Sequence, residues 1–143
     1  MIILDTDELT LVQRAQGEEY ARLAARLNQT DEPVCVTIVS FEEQMRGWLS
    51  LMAEARTPEK QIRVYARLRA LLEDFQTRPV LDYDDNAAAE YQRLVRARVR
   101  IGTMDLRIAA VALAHDALLV SRNLVHFRKV PGLQWSARRG PGP

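Results

Sequence analysis

Short apolar runs alternate with amphipathic stretches along this chain, and the alternation predicts strands interleaved with helices. Ile2-Ile3-Leu4 is apolar at successive positions, the pattern of a strand buried on both faces. Leu9, Leu11 and Val12 follow in a helical or turn region. Glu18 to Leu27 then sets Tyr20, Leu23, Ala24 and Leu27 at spacings of three and four, which is one face of a helix. Asn28 to Pro33 is a loop of turn formers, and Val34 to Val39, rich in β-branched residues, reads as a second buried strand. Phe41 to Ala53 and Pro58 to Phe75 read as two helices separated at Arg56-Thr57-Pro58, with Thr57 as N-cap and Pro58 in the first turn.

Pro79-Val80-Leu81 is a short third strand, and Asp84-Asp85-Asn86 opens a helix from Ala87 to Ala97 capped by Asp85 or Asn86. Thr103 to His115 is the most apolar helix. Its small side chains point to close packing on a sheet. Ala117 to Val120 and Gly132 to Trp135 supply the last two strands. The expectation is one domain over 1–135 and a flexible C-terminal tail over 136–143. Strands alternating with helices imply an α/β fold: a three-layer α/β/α sandwich around a mostly parallel sheet of about five strands.

Composition adds little to that picture, since 48% hydrophobic and 27% charged residues are ordinary for a globular domain of 143 residues. No apolar run approaches the roughly 20 residues of a membrane span, and Asp5 interrupts any leader-like start, so a cytoplasmic protein is expected. The single cysteine, Cys35, excludes an internal disulfide and a cysteine metal pair; within Val34-Cys35-Val36 it reads as a buried thiol. Charge changes the picture more. Met1 to Gln92 carries 17 acidic and 10 basic side chains, whereas Arg93 to Pro143 carries 2 acidic and 10 basic. A basic half of this kind is suited to contact with phosphates, or pairs with the acidic half.

The candidate chemistry lies just beyond predicted strand ends: Asp5 and Asp7, Glu42 and Glu43, Asp105, and Ser121 with Asn123. In an α/β sheet such ends form ligand sites, and carboxylates gathered there need positive charge between them, which a hard divalent cation supplies. Each residue also has a structural reading. Asp5 can cap the turn that follows it, and Asp7 can be a cap or a surface acid. Ser40-Phe41-Glu42-Glu43 is a capping-box pattern that would turn Glu43 back to its own helix, while Glu42 suits a solvated first turn. Asp105 suits the first turn of a helix capped by Thr103, yet shares a stripe with Ile108, Ala109 and Ala112, a face that should be buried. His115 and His126 have no nearby His or Cys partner and make no zinc site. Asp5-Thr6-Asp7 is also a DxD after a strand, but Leu9 stands where haloacid-dehalogenase phosphatases place Thr or Val, and Lys60 and Lys129 are the only lysines.

Four segments in this order resemble the PIN-domain ribonucleases, in particular the toxin halves of VapBC-type toxin–antitoxin pairs. They are Ile3-Leu4-Asp5-Thr6-Asp7, Val39 to Gly47, Arg100 to Ala110 and Leu119 to Leu133, and the resemblance runs from Ile2 to about Leu133. It implies a sheet of order 3-2-1-4-5, an RNA substrate, a Mg2+ or Mn2+ site, a small antitoxin partner and a homodimer. By position it makes Asp5, Glu43 and Asp105 the acidic metal-binding core and Asn123 the fourth, more variable catalytic position. Glu43 is preferred to Glu42 because Gly47 stands four residues after it. Arg100, Arg107, Arg122, Ser121 and His126 are candidates for contact with RNA. His126 is a departure, because the family often has Asp there. The competing expectation is a non-catalytic interaction module whose acids are helix caps.

Overall fold

In the computed structural model, which describes residues 1–138, β1 (Ile2–Leu4) forms the centre of the sheet. It pairs in parallel with β2 (Val34–Thr37) on one side and β4 (Leu118–Val120) on the other, and Ile3 lies opposite both Cys35 and Leu119. β3 (Val80–Leu81) continues the sheet beyond β2, and β5 (Gln134–Ser136) beyond β4. The five strands are all parallel in the order 3-2-1-4-5, as expected.

Helices α1 (Thr6–Arg14), α2 (Gly17–Leu27), α3 (Ile38–Glu54), α4 (Pro58–Thr77), α5 (Asp85–Arg96), α6 (Thr103–Ala114) and the short α7 (Leu124–Phe127) complete the described chain. Alternate residues of β1 serve opposite cores, because successive strand side chains point to opposite faces. Ile3 packs with Ile108, Ala109, Ala112 and Phe127, while Ile2 and Leu4 pack with Leu9, Leu23 and Val36. The sheet is therefore covered on both sides, which is why its strands are continuously apolar. Cys35 is buried and free.

Three helix starts differ from the sequence expectation. Ile38 and Val39 look like strand by composition, but α3 already begins at Ile38, because the Thr37 hydroxyl accepts the Ser40 N–H at 3.2 Å and caps it. α5 is capped by Asp84, whose carboxylate accepts the Ala87 N–H at 3.0 Å, rather than by Asp85 or Asn86. Gly102, not Thr103, holds the N-cap position of α6, with no side-chain bond. Thr57 caps α4 and Pro58 opens it.

The chain end also differs. Ser136 belongs to β5 and is buried, so the tail does not begin there. Arg138 is buried as well: its Nε and a terminal nitrogen donate to both oxygens of Glu8 at 2.8 and 3.0 Å. The remainder of the expected tail, 139–143, lies outside the described residues.

Candidate active site

Asp5 leaves the C-terminal end of β1 and caps α1 with an extended backbone. One carboxylate oxygen accepts the Thr6 N–H at 2.8 Å, and the other accepts the Ser121 hydroxyl at 2.7 Å. The side chain is only 4% exposed and has no cationic partner in these bonds. Burial therefore pushes its pKa up to about 6; the Ser121 and Thr6 bonds oppose the rise, and the nearby charges of Asp105 and Asp7 add to it.

Glu43 lies in the second turn of α3. With the helix capped by Thr37, the capping-box reading fails and Glu43 is free to face β1. Its Oε1 accepts the Thr6 hydroxyl at 2.7 Å, so that hydroxyl accepts in turn from buried Ser40 at 2.9 Å. Burial raises the Glu43 pKa, the Thr6 bond opposes it, and Asp105, Asp7 and Glu42 raise it further. Asp105, in the first turn of α6, thus acts electrostatically on both Asp5 and Glu43. Three acids from three separate segments share one field.

Ser121 and Asn123 close the site from the β4 side. The buried Ser121 hydroxyl donates to Asp5 and accepts the Asn123 N–H at 2.9 Å. The Asn123 amide nitrogen lies 3.2 Å from Asp105 Oδ2 and 2.9 Å from His126 Nδ1, and that Nδ1 is itself 3.2 Å from Asp105 Oδ2. Beside these acids is an open cleft of about 500 Å3, bordered by Glu43, Asp105, Arg46 and Arg107.

The remaining candidates are not among the residues that line this cleft. Asp7 is exposed and paired with Arg122 at 3.0 Å, so its charge is felt by Asp5 and Glu43 while its oxygen is engaged elsewhere. Glu42 is engaged by Arg46 at 2.7 Å and Arg107 at 3.9 Å. Arg100 is exposed on the approach to α6 and does not border the cleft. Sequence reading missed Thr6, Ser40 and Arg46. Arg46 had a signal, since it stands three and four residues after Glu43 and Glu42 on one helical face.

Among the described residues no three His, Cys, Asp or Glu side chains already form a closed metal-ligand group. Hydroxyls and amides hold the carboxylates, as mutual repulsion requires of unneutralised acids. The donor set is nonetheless hard oxygen, and a buried acid at about pKa 6 lacks countercharge. Both features fit a divalent cation.

A parallel 3-2-1-4-5 sheet with acids converging at the strand ends defines an α/β/α protein with an acidic, cation-suited site. The PIN domain family model matches residues 2–133, and the chain belongs to that family. It is 30% identical over 137 residues to Ribonuclease VapC2 of Haemophilus influenzae, covering 92% of this chain and 93% of that protein. FitAcB from Neisseria gonorrhoeae shares 26% identity with a TM-score of 0.66, over 94% of this chain and 96% of that one. VapBC-1 from nontypeable H. influenzae shares the fold at a TM-score of 0.71 and 23% identity, over 96% of this chain and 98% of that one.

Proposed function

We propose that this protein is a divalent-metal-dependent endoribonuclease, the toxin of a type II toxin–antitoxin pair, hydrolysing RNA phosphodiester bonds. The observation that carries this reading is the shared field of Asp5, Glu43 and Asp105, brought to one place from three segments. The family membership and the likeness to a protein named Ribonuclease VapC2 support it.

Asp5, Glu43 and Asp105 would hold Mg2+ or Mn2+, with Asn123 completing the catalytic set. Such an ion, when bound, polarises a phosphate and lowers the pKa of water. Glu43 accepts a proton from the attacking water, a task favoured by its raised pKa and by Thr6, which fixes its orientation at 2.7 Å. Ser121 keeps Asp5 and Asn123 in register through its two hydrogen bonds. Arg46 and Arg107 border the cleft, and Arg122 is exposed and paired with Asp7. All three are suited to bidentate contact with the RNA backbone.

An antitoxin partner follows from the likeness to VapBC complexes. Exposed Leu49, Leu51, Ile62, Tyr65 and Leu72 on α3 and α4, which pack together, support a surface for a protein partner. A homodimer acting in the cytoplasm completes the reading; among the described residues no helix is long and apolar enough to cross a membrane.

The competing module reading draws on the real cap that Asp5 makes with Thr6. Asp5→Asn separates the two, because asparagine caps as well as aspartate but carries no charge. Purified protein and the variant are incubated with RNA and Mg2+ or Mn2+. The native chain should cleave and the variant should not. Equal RNA loss from both would assign the cleavage to a contaminant, and no loss from either would favour the module.

A further inference from the structure

A second cavity, of about 790 Å3, shares Arg46 and Arg107 with the acidic cleft and so adjoins it. Beyond these two guanidiniums the chemistry changes from acidic to aromatic. Phe41 and Met45 of α3, Tyr83 just before α5 and Tyr91 within α5 line the cavity. Tyr83 and Tyr91 meet edge to face, with ring centroids 6.5 Å apart and planes at 73°. Both rings pack against the core around Ile108 and Leu119, which holds them in place, yet both remain only partly buried. Packing against the core explains one side of each ring and not the side that lines a cavity.

The boundary between the two cavities is cationic. The Arg107 guanidinium lies 5.8 Å from the centre of the Tyr91 ring and 3.9 Å from Glu42, and Arg46 pairs with the same Glu42 at 2.7 Å. Two guanidiniums against one carboxylate leave an excess of positive charge between the acids and the rings. Acids, cations and aromatic rings therefore follow one another along this face. A single-stranded nucleotide has the matching order: a phosphate that cations hold, joined to a flat base that stacks on aromatic rings. The cavity is also of ligand-site size, since such sites span roughly 300–1,000 Å3.

We propose that this cavity is a nucleobase subsite, seating a base next to the phosphate held at Arg46 and Arg107 and stacking it on Tyr83 and Tyr91. The proposal rests on the ribonuclease reading and deepens it, because a base can enter only if it is free of a helix. The substrate class is then unpaired RNA, accepted with little regard to base identity, as stacking on a ring face is tolerant of sequence.

The test compares a short single-stranded RNA with an abasic strand of the same length and with the same RNA annealed to its complement. Binding to the full-length chain is read by fluorescence anisotropy in EDTA, and cleavage is read in Mn2+. The native chain should bind the RNA about tenfold more tightly than the abasic strand and cut it about tenfold faster than the duplex. Tyr91→Leu, which keeps an apolar side chain against the core, should erase most of the preference for bases. Tyr91→Phe, which keeps the ring, should retain it. A native chain that cuts RNA but binds both single strands equally, or cuts the duplex as fast, overturns the subsite and leaves the nuclease standing. A Tyr91→Leu chain that loses both strands equally while its sedimenting mass changes also overturns it, since a second protein chain then covers this face. Absence of cleavage by the native chain overturns the ribonuclease reading itself. The native comparison of the two single strands is decisive even if the leucine variant does not fold.

Discussion

Two carboxylates three residues apart, Asp5 and Glu8, are both withdrawn from water, at 4% and 0% exposure, and are treated in opposite ways. Glu8 faces a guanidinium: Arg138 forks onto both of its oxygens, and Glu19 takes another nitrogen of the same arginine at 2.7 Å. Asp5 is held by a backbone N–H and a serine hydroxyl, with two further acids in its field. A buried charge that is paired and forked on both oxygens is structure, since nothing more can bind there. A buried charge left without a counterion is a binding site waiting for one. One short helix carries both kinds, and their difference predicts how each should respond to loss.

The largest effect is expected at Asp5. Asp5→Asn keeps an oxygen for the Thr6 N–H and turns its amide to Ser121, whose oxygen can accept it. Folding should therefore survive while the proposed cation site loses its most buried carboxylate. RNA cleavage should fall on the order of a thousandfold, about 4 kcal/mol of transition-state stabilisation, measured as initial rate per folded molecule. A melting temperature that falls along with activity would erase the contrast with Glu8.

Glu8→Gln should reverse the pattern. It strands the Arg138 guanidinium, which is 10% exposed, against a neutral partner. Breaking one side of a buried pair costs about 3 kcal/mol, at the low end here because Glu19 remains. Chemical denaturation should show this loss with the slope unchanged, and the surviving folded fraction should bind Mn2+ normally. Loss of Mn2+ binding at full stability would instead place Glu8 in the site.

The pH dependence sharpens the same difference. The Asp5 pKa is about 6 in the fold against 3.8 for an ordinary aspartate, so the folded state holds the proton more tightly. Its contribution to stability is present below pH 3.8 and is lost as pH rises through 6, amounting to at most about 3 kcal/mol. Glu43, also raised by burial, acts in the same direction. Metal-free protein should thus lose stability from about pH 4 to 6. Asp5→Asn should flatten that slope, and saturating Mn2+ should offset it at neutral pH. A native chain whose melting temperature is flat over this range would mean that Asp5 is not uncompensated.

This contrast was half legible in the sequence. Glu43, in the second turn of α3, was marked only by its spacing from Gly47; Asp5 stands at a strand end and Asp105 in a first helical turn, and local pattern finds such places. The central strands were legible for the same reason, as continuous apolar runs. The Glu8–Arg138 pair was not, because its partners are 130 residues apart and Arg138 stands in a Gly/Pro-rich stretch that reads as tail. Glu43 was ambiguous for a local reason. Ile38 and Val39 have strand composition, so the start of α3 was displaced and Ser40 looked like a cap. The Thr37 hydroxyl settles the matter through one hydrogen bond. Gly47 is a different case: a Cβ there would meet no atom within 4 Å, so packing within the described chain does not explain the glycine that marked Glu43.

The smallest predicted change tests whether burial, rather than pairing alone, makes Glu8 structural. Glu8 and Glu19 bind the same guanidinium at nearly equal distances, 2.8 and 2.7 Å, but the Glu19 side chain is 62% exposed and that of Glu8 is not exposed at all. Water screens the outer partner and competes for the arginine, so Glu19→Gln should cost no more than about 0.5 kcal/mol and should lose that effect in high salt. The inner partner has no such competitor. Equal losses from the two substitutions would show that Arg138 is as wet as Glu19, and the contrast between a closed ion pair and an open carboxylate on α1 would rest on Asp5 alone.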